Sequence, residues 1–164
     1  VSQIHNTDRR GGLRETYNDK VLKKKFIFEY CTTSKKNVLR GFHFQSKNKQ
    51  SKYVNVLKGK ILDVVIDLRK NSRTFGKVFS IILSKKNALG LYIPAGFAHA
   101  YYSYDKENII YYKLDNYYNP KYESGIVYND KTLMIKWPKK NMLISKKDKK
   151  LITISQFKKK YKYL

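Results

Sequence analysis

The chain has 164 residues, with 36 Lys and Arg against 12 Asp and Glu, a formal net charge of +24. That length suits one domain with a real core, and no apolar run reaches the roughly 18 residues of a membrane span. One cysteine, Cys31, excludes an internal disulfide and fits a reducing cytosol, where it reads as a small strand residue rather than a nucleophile. The charge invites a nucleic-acid reading, but six of the basic residues are arginine and the other thirty are lysine, spread over most of the chain. Specific phosphate and base recognition favours arginine forks, whereas scattered lysine keeps a surface solvated, so a specific nucleic-acid partner is not expected.

Residues 1–16 are polar and turn-like around Asp8-Arg9-Arg10-Gly11-Gly12, with no visible signal peptide. The chain opens at Val1 without an initiator Met, so a leading segment is expected to precede it. A short helix is predicted over 17–25 and a strand over Phe26–Tyr30, followed by a polar turn over Thr32–Asn37. Residues 38–45 are the most strand-like early stretch, with Arg40, His43 and Gln45 set among Val, Leu and Phe. Strict alternation puts Arg40 opposite His43, and a bulge at Gly41 brings them to one side. Lys52–Leu57 and Lys60–Leu68 read as two strands across a tight Lys58-Gly59 turn. In the second, Asp63 shares a face with Ile61 and Val65, which fits either a solvated face or a pocket residue. Further strands are predicted over Phe75–Leu83 and Leu91–Ile93. A hairpin of His99–Tyr104 and Asn108–Asp115 follows, then short strands near 124–128 and 133–137. From Lys139 the chain is Lys-rich and partly exposed, with a little helix expected. Strands every ten residues or so, with turns between them and no long helix, give an all-β sandwich or barrel in one domain over 1–164, with a Lys-rich tail from about 150.

Chemistry narrows quickly. His5, His43 and His99 are the only histidines, with no H-x-H pair and no second cysteine, so no metal is expected. No G-x-S-x-G elbow is present. What remains is acid–base work without a cofactor. His43 is a candidate base, and Tyr112, on a face with Ile110 and Leu114, a candidate acid.

The ordered set of Arg40-Gly41-Phe42-His43-Phe44-Gln45, Gln50-Ser51-Lys52, Gly59 to Arg69, Ser72-Arg73-Thr74-Phe75-Gly76 and Ile93 to His99 resembles the dTDP-4-dehydrorhamnose 3,5-epimerase family. Tyr112-Lys113, Tyr117-Tyr118, Asn129-Asp130, Trp137-Pro138 and Ser145 to Asp148 continue the likeness, which covers about residues 8–150. The resemblance implies a cupin-type jelly roll, usually a homodimer, cytoplasmic and without cofactor or metal. Its substrate would be a dTDP-linked 4-keto-6-deoxyhexose on the route to dTDP-rhamnose, inverted at C3 and C5. It implies His43 as base, Asp148 as the group that orients it, Tyr112 as the opposing acid, and Lys52 with Arg40 as positive charge near the diphosphate and the enolate. It implies substrate contacts from Arg10, Glu15, His99, Glu123 and Lys147, and stacking of Tyr118 on the nucleobase.

Departures are visible as well. Leu13 replaces an aromatic residue, and Ala100-Tyr101 replaces Gly-Phe. Phe28 to Ser34 stands where the family shows Q-D-N-x-S-x-S, so amide contacts to the nucleotide are lost. The family's opening strand is largely absent. The alternatives left open are an epimerase of another nucleotide-linked 4-keto sugar or of one carbon only, a decayed sugar-nucleotide binder, and a non-catalytic barrel that binds polyanions.

Overall fold

Two antiparallel sheets face each other in the computed structural model, which describes residues 1–164. Strands β1 (His5–Asp8) and β2 (Gly11–Arg14) form a separate two-stranded hairpin, followed by the one-turn helix α1 (Asp19–Leu22) capped by Asn18. The barrel strands are β3 (Phe28–Lys35), β4 (Leu39–Gln45), β5 (Lys52–Lys58), β6 (Lys60–Asp67), β7 (Val78–Ser84), β8 (Gly90–Ile93), β9 (Phe97–Ser103), β10 (Glu107–Leu114) and β11 (Glu123–Gly125). Their order is β3-β10-β5-β8 in one sheet and β11-β4-β9-β6-β7 in the other. This is the expected all-β jelly roll. Short helices α2 (Lys146–Lys149) and α3 (Ile154–Tyr161) follow, and no helix is long and apolar enough to cross a membrane.

Neither predicted hairpin is a hairpin. β5 pairs with β10 and β8, while β6 pairs with β7 and β9. The Lys58-Gly59 turn is therefore a corner where the chain leaves one sheet for the other. Residues 104–106 make the same crossing between β9 and β10. Both corners meet at Asn108, which is fully buried. Its Oδ1 accepts from the Lys60 amide at 3.0 Å, and its Nδ2 donates to the carbonyls of Asp105 at 2.7 Å and Ser34 at 3.1 Å. Gly59 has φ +84°, and a Cβ there would stand 2.5 Å from Asn108 Oδ1, so the corner needs glycine twice over.

Alternation divides the core in two. Val54, Val56, Ile61, Val65, Ile110, Tyr112 and Leu114 fill the space between the sheets. Phe42, Phe44, Val64, Ile66, Ala98 and Ala100 point out of the five-stranded sheet and are covered by the C-terminal segment. Helix α3 starts in a Thr153–Gln156 capping box and buries Ile154 and Phe157. Phe157 and Tyr161 meet the ring of Phe44 edge-on at 5.5 and 5.7 Å. Burial of a ring the size of Phe157 is worth about 1.5–3 kcal/mol, which makes this Lys-rich end part of the fold rather than a free tail.

Two further expectations need correction. β3 runs to Lys35, so the turn predicted from Thr32 begins only after it; Thr32 to Lys35 are held by pairing with Glu107 to Ile110. Residues 133–137 are not a strand: Leu133 closes a short 3-10 turn, Lys131–Leu133, set by Asp130 accepting from Thr132, and the rest follow it irregularly. Asn108→Ala should lower the free energy of unfolding by about 3 kcal/mol, because it strands buried amide and carbonyl groups at both corners. Urea denaturation of the two proteins checks this.

Candidate active site

Arg40 and His43 share a side because of a bulge. Arg40 lies opposite Tyr101 and His43 opposite His99, so β4 carries one residue more than β9 between those pairs. Gly41 occupies the bulge at φ +109°, where a Cβ would stand 2.4 Å from the His99 carbonyl oxygen. Phe42 and Phe44 go to the outer core, and His43 with Arg40 lines a cleft of about 450 Å³ together with Leu143, Ser145, Lys147 and Asp148.

Asp148 comes from α2, a single turn capped by Ser145, whose hydroxyl accepts from the Asp148 amide at 2.9 Å. One carboxylate oxygen meets His43 Nε2 at 2.8 Å and the other accepts from the Gly41 amide at 3.1 Å. Burial pushes this carboxyl up, but the His43 hydrogen bond and charge, Gly41 and Ser145 together hold it below the ordinary Asp value. Only Nε2 of the ring is engaged by Asp148, which leaves Nδ1 for other work.

A second pair lies behind the first. His99, the cross-strand neighbour of His43, meets both oxygens of the fully buried Asp63 at 2.9 Å. Asp63 is therefore a pocket residue and not part of a solvated face. In the sequence Asp63 was legible only as an acid inside a Val- and Ile-rich strand. From the opposite sheet Tyr112 meets the His99 ring edge-on at 6.0 Å. Burial pushes the Tyr112 phenol well above its ordinary value, helped by Tyr101, Tyr30 and Asp63, so it stays protonated. His43 and Tyr112 thus flank the same imidazole from two facing sheets.

Lys52 begins β5 on the inner face, beside Leu114 and Ile93. Burial draws its ammonium down to about 8, while Asp63 and Glu123 pull it upward. The loop before it is fastened by Asp115, which accepts from the Ser51 amide and hydroxyl. Glu123 on β11 accepts from the Tyr118 hydroxyl at 2.7 Å and from Lys147. Burial raises Glu123, and Lys147, Tyr118 and His43 more than offset it. Gln45 is a supporting residue that the sequence marked only as polar in a strand. Its amide nitrogen donates to the carbonyls of Asn48 and Tyr117, and its oxygen accepts from the Asn119 amide, which anchors the loop that carries Tyr118.

The fold thus gathers His43, Asp148, Arg40, Lys52, His99, Tyr112, Tyr118, Glu123 and Lys147 about one end of the barrel. Arg10 and Glu15 stand apart. Arg10 is exposed and paired with Asp8 on the outlying hairpin, and Glu15 accepts from Asn18 beside α1. No three His, Cys, Asp or Glu side chains converge as a metal cage would.

The family model described as dTDP-4-dehydrorhamnose 3,5-epimerase matches residues 1–156. The chain belongs to the dTDP-4-dehydrorhamnose 3,5-epimerase family. It is 40% identical over 151 residues to the dTDP-4-dehydrorhamnose 3,5-epimerase of Methanothermobacter thermautotrophicus, covering 87% of this chain and 82% of that one. The Bacillus anthracis dTDP-4-dehydrorhamnose 3,5-epimerase, solved with TDP and PPi bound, superposes with a TM-score of 0.90 at 38% identity, over 93% of this chain and 91% of that one. The Legionella pneumophila 3,5-epimerase, solved with dTDP-4-keto-L-rhamnose, gives 0.90 at 35% identity, over 94% and 86%. The chain is an enzyme of the isomerase class, and the barrel is that of its epimerase relatives.

The depressed Asp148 carboxyl has a consequence for this epimerase-family fold. A folded value below the unfolded one, near 3.9 for Asp, adds stability above that pH and loses it as the pH falls through the folded value. The stability gap between the wild type and Asp148→Asn should therefore shrink from pH 6 to pH 3, measured by urea unfolding across that range.

Proposed function

We propose that the protein inverts C3 and C5 of dTDP-4-dehydro-6-deoxy-D-glucose to give dTDP-4-dehydro-L-rhamnose. Hydrogens on the carbons beside a ketone are acidic, because the carbanion left behind delocalises onto the carbonyl oxygen as an enolate. Inversion needs a base on one face of the ring and an acid on the other. His43 takes the proton from C3 through Nδ1, with Asp148 fixing the ring and stabilising the imidazolium. Tyr112 delivers its proton to C3 from the opposite face. The same exchange repeats at C5 once both groups have recovered their protonation states. Lys52 holds positive charge toward the enolate oxygen, a charge that appears only as the reaction proceeds, and Arg40 faces the diphosphate.

The observation that carries this reading is the pairing of His43 with Asp148 on one sheet and a protonated, buried Tyr112 on the other, both against His99, in a chain of this family. The exposed Lys147 beside Glu123 suits the anionic end of the substrate.

Incubation with the 4-keto sugar nucleotide in D₂O should load deuterium at C3 and C5. Absence of exchange at both carbons would falsify the proposal, and exchange at one carbon alone would reduce it to a single epimerisation. Replacing a proton-transfer partner, as in His43→Ala or Tyr112→Phe, should cost about 10²–10⁴ in kcat with the fold intact by circular dichroism. The rate should also fall as the pH rises through about 8, where Lys52 loses its charge. Lys52→Arg, charged throughout, should lack that alkaline limb even if its rate is lower.

A further inference from the structure

A row of hydroxyl groups crosses the gap between the two sheets and ends at the Tyr112 phenol. Thr32 and Ser34 are two apart on β3 and share its inner side, and Tyr101 reaches them from β9 in the facing sheet. The Tyr101 hydroxyl lies 2.8 Å from Ser34 Oγ and 3.0 Å from Thr32 Oγ1. At one end of the row Arg40 Nε donates to Ser34 Oγ at 3.1 Å. At the other, Thr32 pairs with Ile110 and so lies diagonal to Tyr112, whose phenol it hydrogen-bonds. Ser34, Tyr101 and Tyr112 are buried, whereas Arg40 reaches solvent.

The direction of the row follows from its ends. A guanidinium can only donate, and each hydroxyl has one hydrogen to give. With Arg40 donating to Ser34, the Ser34 hydrogen is left for Tyr101, the Tyr101 hydrogen for Thr32, and the Thr32 hydrogen for the Tyr112 oxygen. Each hydroxyl between the ends is then satisfied as both donor and acceptor. Burial works against a phenolate at Tyr112, as do Tyr101, Tyr30 and Asp63 when negatively charged, and the Thr32 hydrogen bond favours it. Tyr101 opposes that charge only as an anion; as a phenol it supports it through Thr32.

From this geometry we infer that Tyr101 is a positioning residue for the acid: through Thr32 it directs a hydrogen bond onto the oxygen that Tyr112 leaves bare when its proton goes to the sugar. The inference rests on the epimerase reading above. A phenolate formed in a dry cavity is costly, and a donor already aimed at its oxygen needs no reorientation at the moment of transfer. Tyr101 stands where the family pattern has Phe. A Phe cannot bridge Thr32 and Ser34, so the complete row goes beyond that pattern, and its removal is compatible with the shared barrel.

Steady-state epimerisation of the 4-keto sugar nucleotide in D₂O, by the full chain and its variants, tests this. Tyr101→Phe keeps the ring and removes the hydroxyl. It should lower kcat by about three- to tenfold and change KM by less than about twofold, because the Arg40–Ser34 bond stays in place. Thr32→Val should cost about 10–100-fold in kcat, the worth of a hydrogen bond to a charged group, and Thr32→Ser should restore most of it. Adding Tyr101→Phe to Thr32→Val should cost nothing more, since the row is already cut. A Tyr101→Phe protein within about twofold of the wild-type kcat, or penalties that simply add in the double variant, overturns the inference. A wild type that takes up no deuterium counts instead against the epimerase reading, whereas an active wild type with an indifferent Tyr101→Phe counts against the row alone.

Discussion

A carboxylate inside a β-barrel must find a partner, and this molecule solves that problem twice in adjoining places. Asp148 meets His43 and Asp63 meets His99, and the two imidazoles are opposite each other on neighbouring strands. Unpaired, either charge would be strongly unfavourable in so dry a setting. Paired, they fix two rings in orientation. The bulge at Gly41 settles which neighbour shares their side. Without its extra residue, alternation would turn Arg40 to the face of Phe42 and Phe44, away from the cleft. The Gly41 amide bond to Asp148 ties the bulge and the C-terminal segment into the same unit.

The rest of the site is graded around those pairs. Asp63 and His99 sit deepest, Tyr112 and Lys52 border the apolar core, and Lys147 and Arg40 reach water. Burial raises the Tyr112 phenol and draws down the Lys52 ammonium, whereas Lys147 lies at the solvent edge paired with Glu123. Much of the acid in the chain is engaged in such pairings: Asp8, Glu29, Asp67 and Glu107 also hold cationic side chains. From Lys131 to the end, the one acid is the buried Asp148, among twelve exposed lysines.

Strand positions were largely legible because period-two patterning and Gly, Pro and Asn breaks are local. Residues 38–45 and 107–114 are the clearest cases. What the sequence misled on was pairing. A Lys58-Gly59 turn between two strands has the look of a hairpin, and only the buried Asn108, a tertiary fact, makes it a corner. Thr32 to Lys35 read as a turn because Thr, Ser and Lys favour one, yet pairing with β10 overrides propensity there. The candidate residues came mainly from an ordered family resemblance. From the residues alone, His43 stood out by rarity, but nothing local tied it to Asp148, 105 positions away. Asp63 could be neither assigned nor dismissed until His99 stood beside it.

The sheet-to-sheet corners carry a consequence for how the chain assembles. Because most barrel strands adjacent in sequence join different sheets, β3 waits for β10 and β4 waits for β9, each more than fifty residues away. Long loops must close before any such contact repays their lost entropy, a topology that folds slowly compared with a helical bundle of the same size. His43, Lys52, Tyr112 and Asp148 come from four separate stretches of chain. These four side chains therefore converge only after the long loops between them have closed.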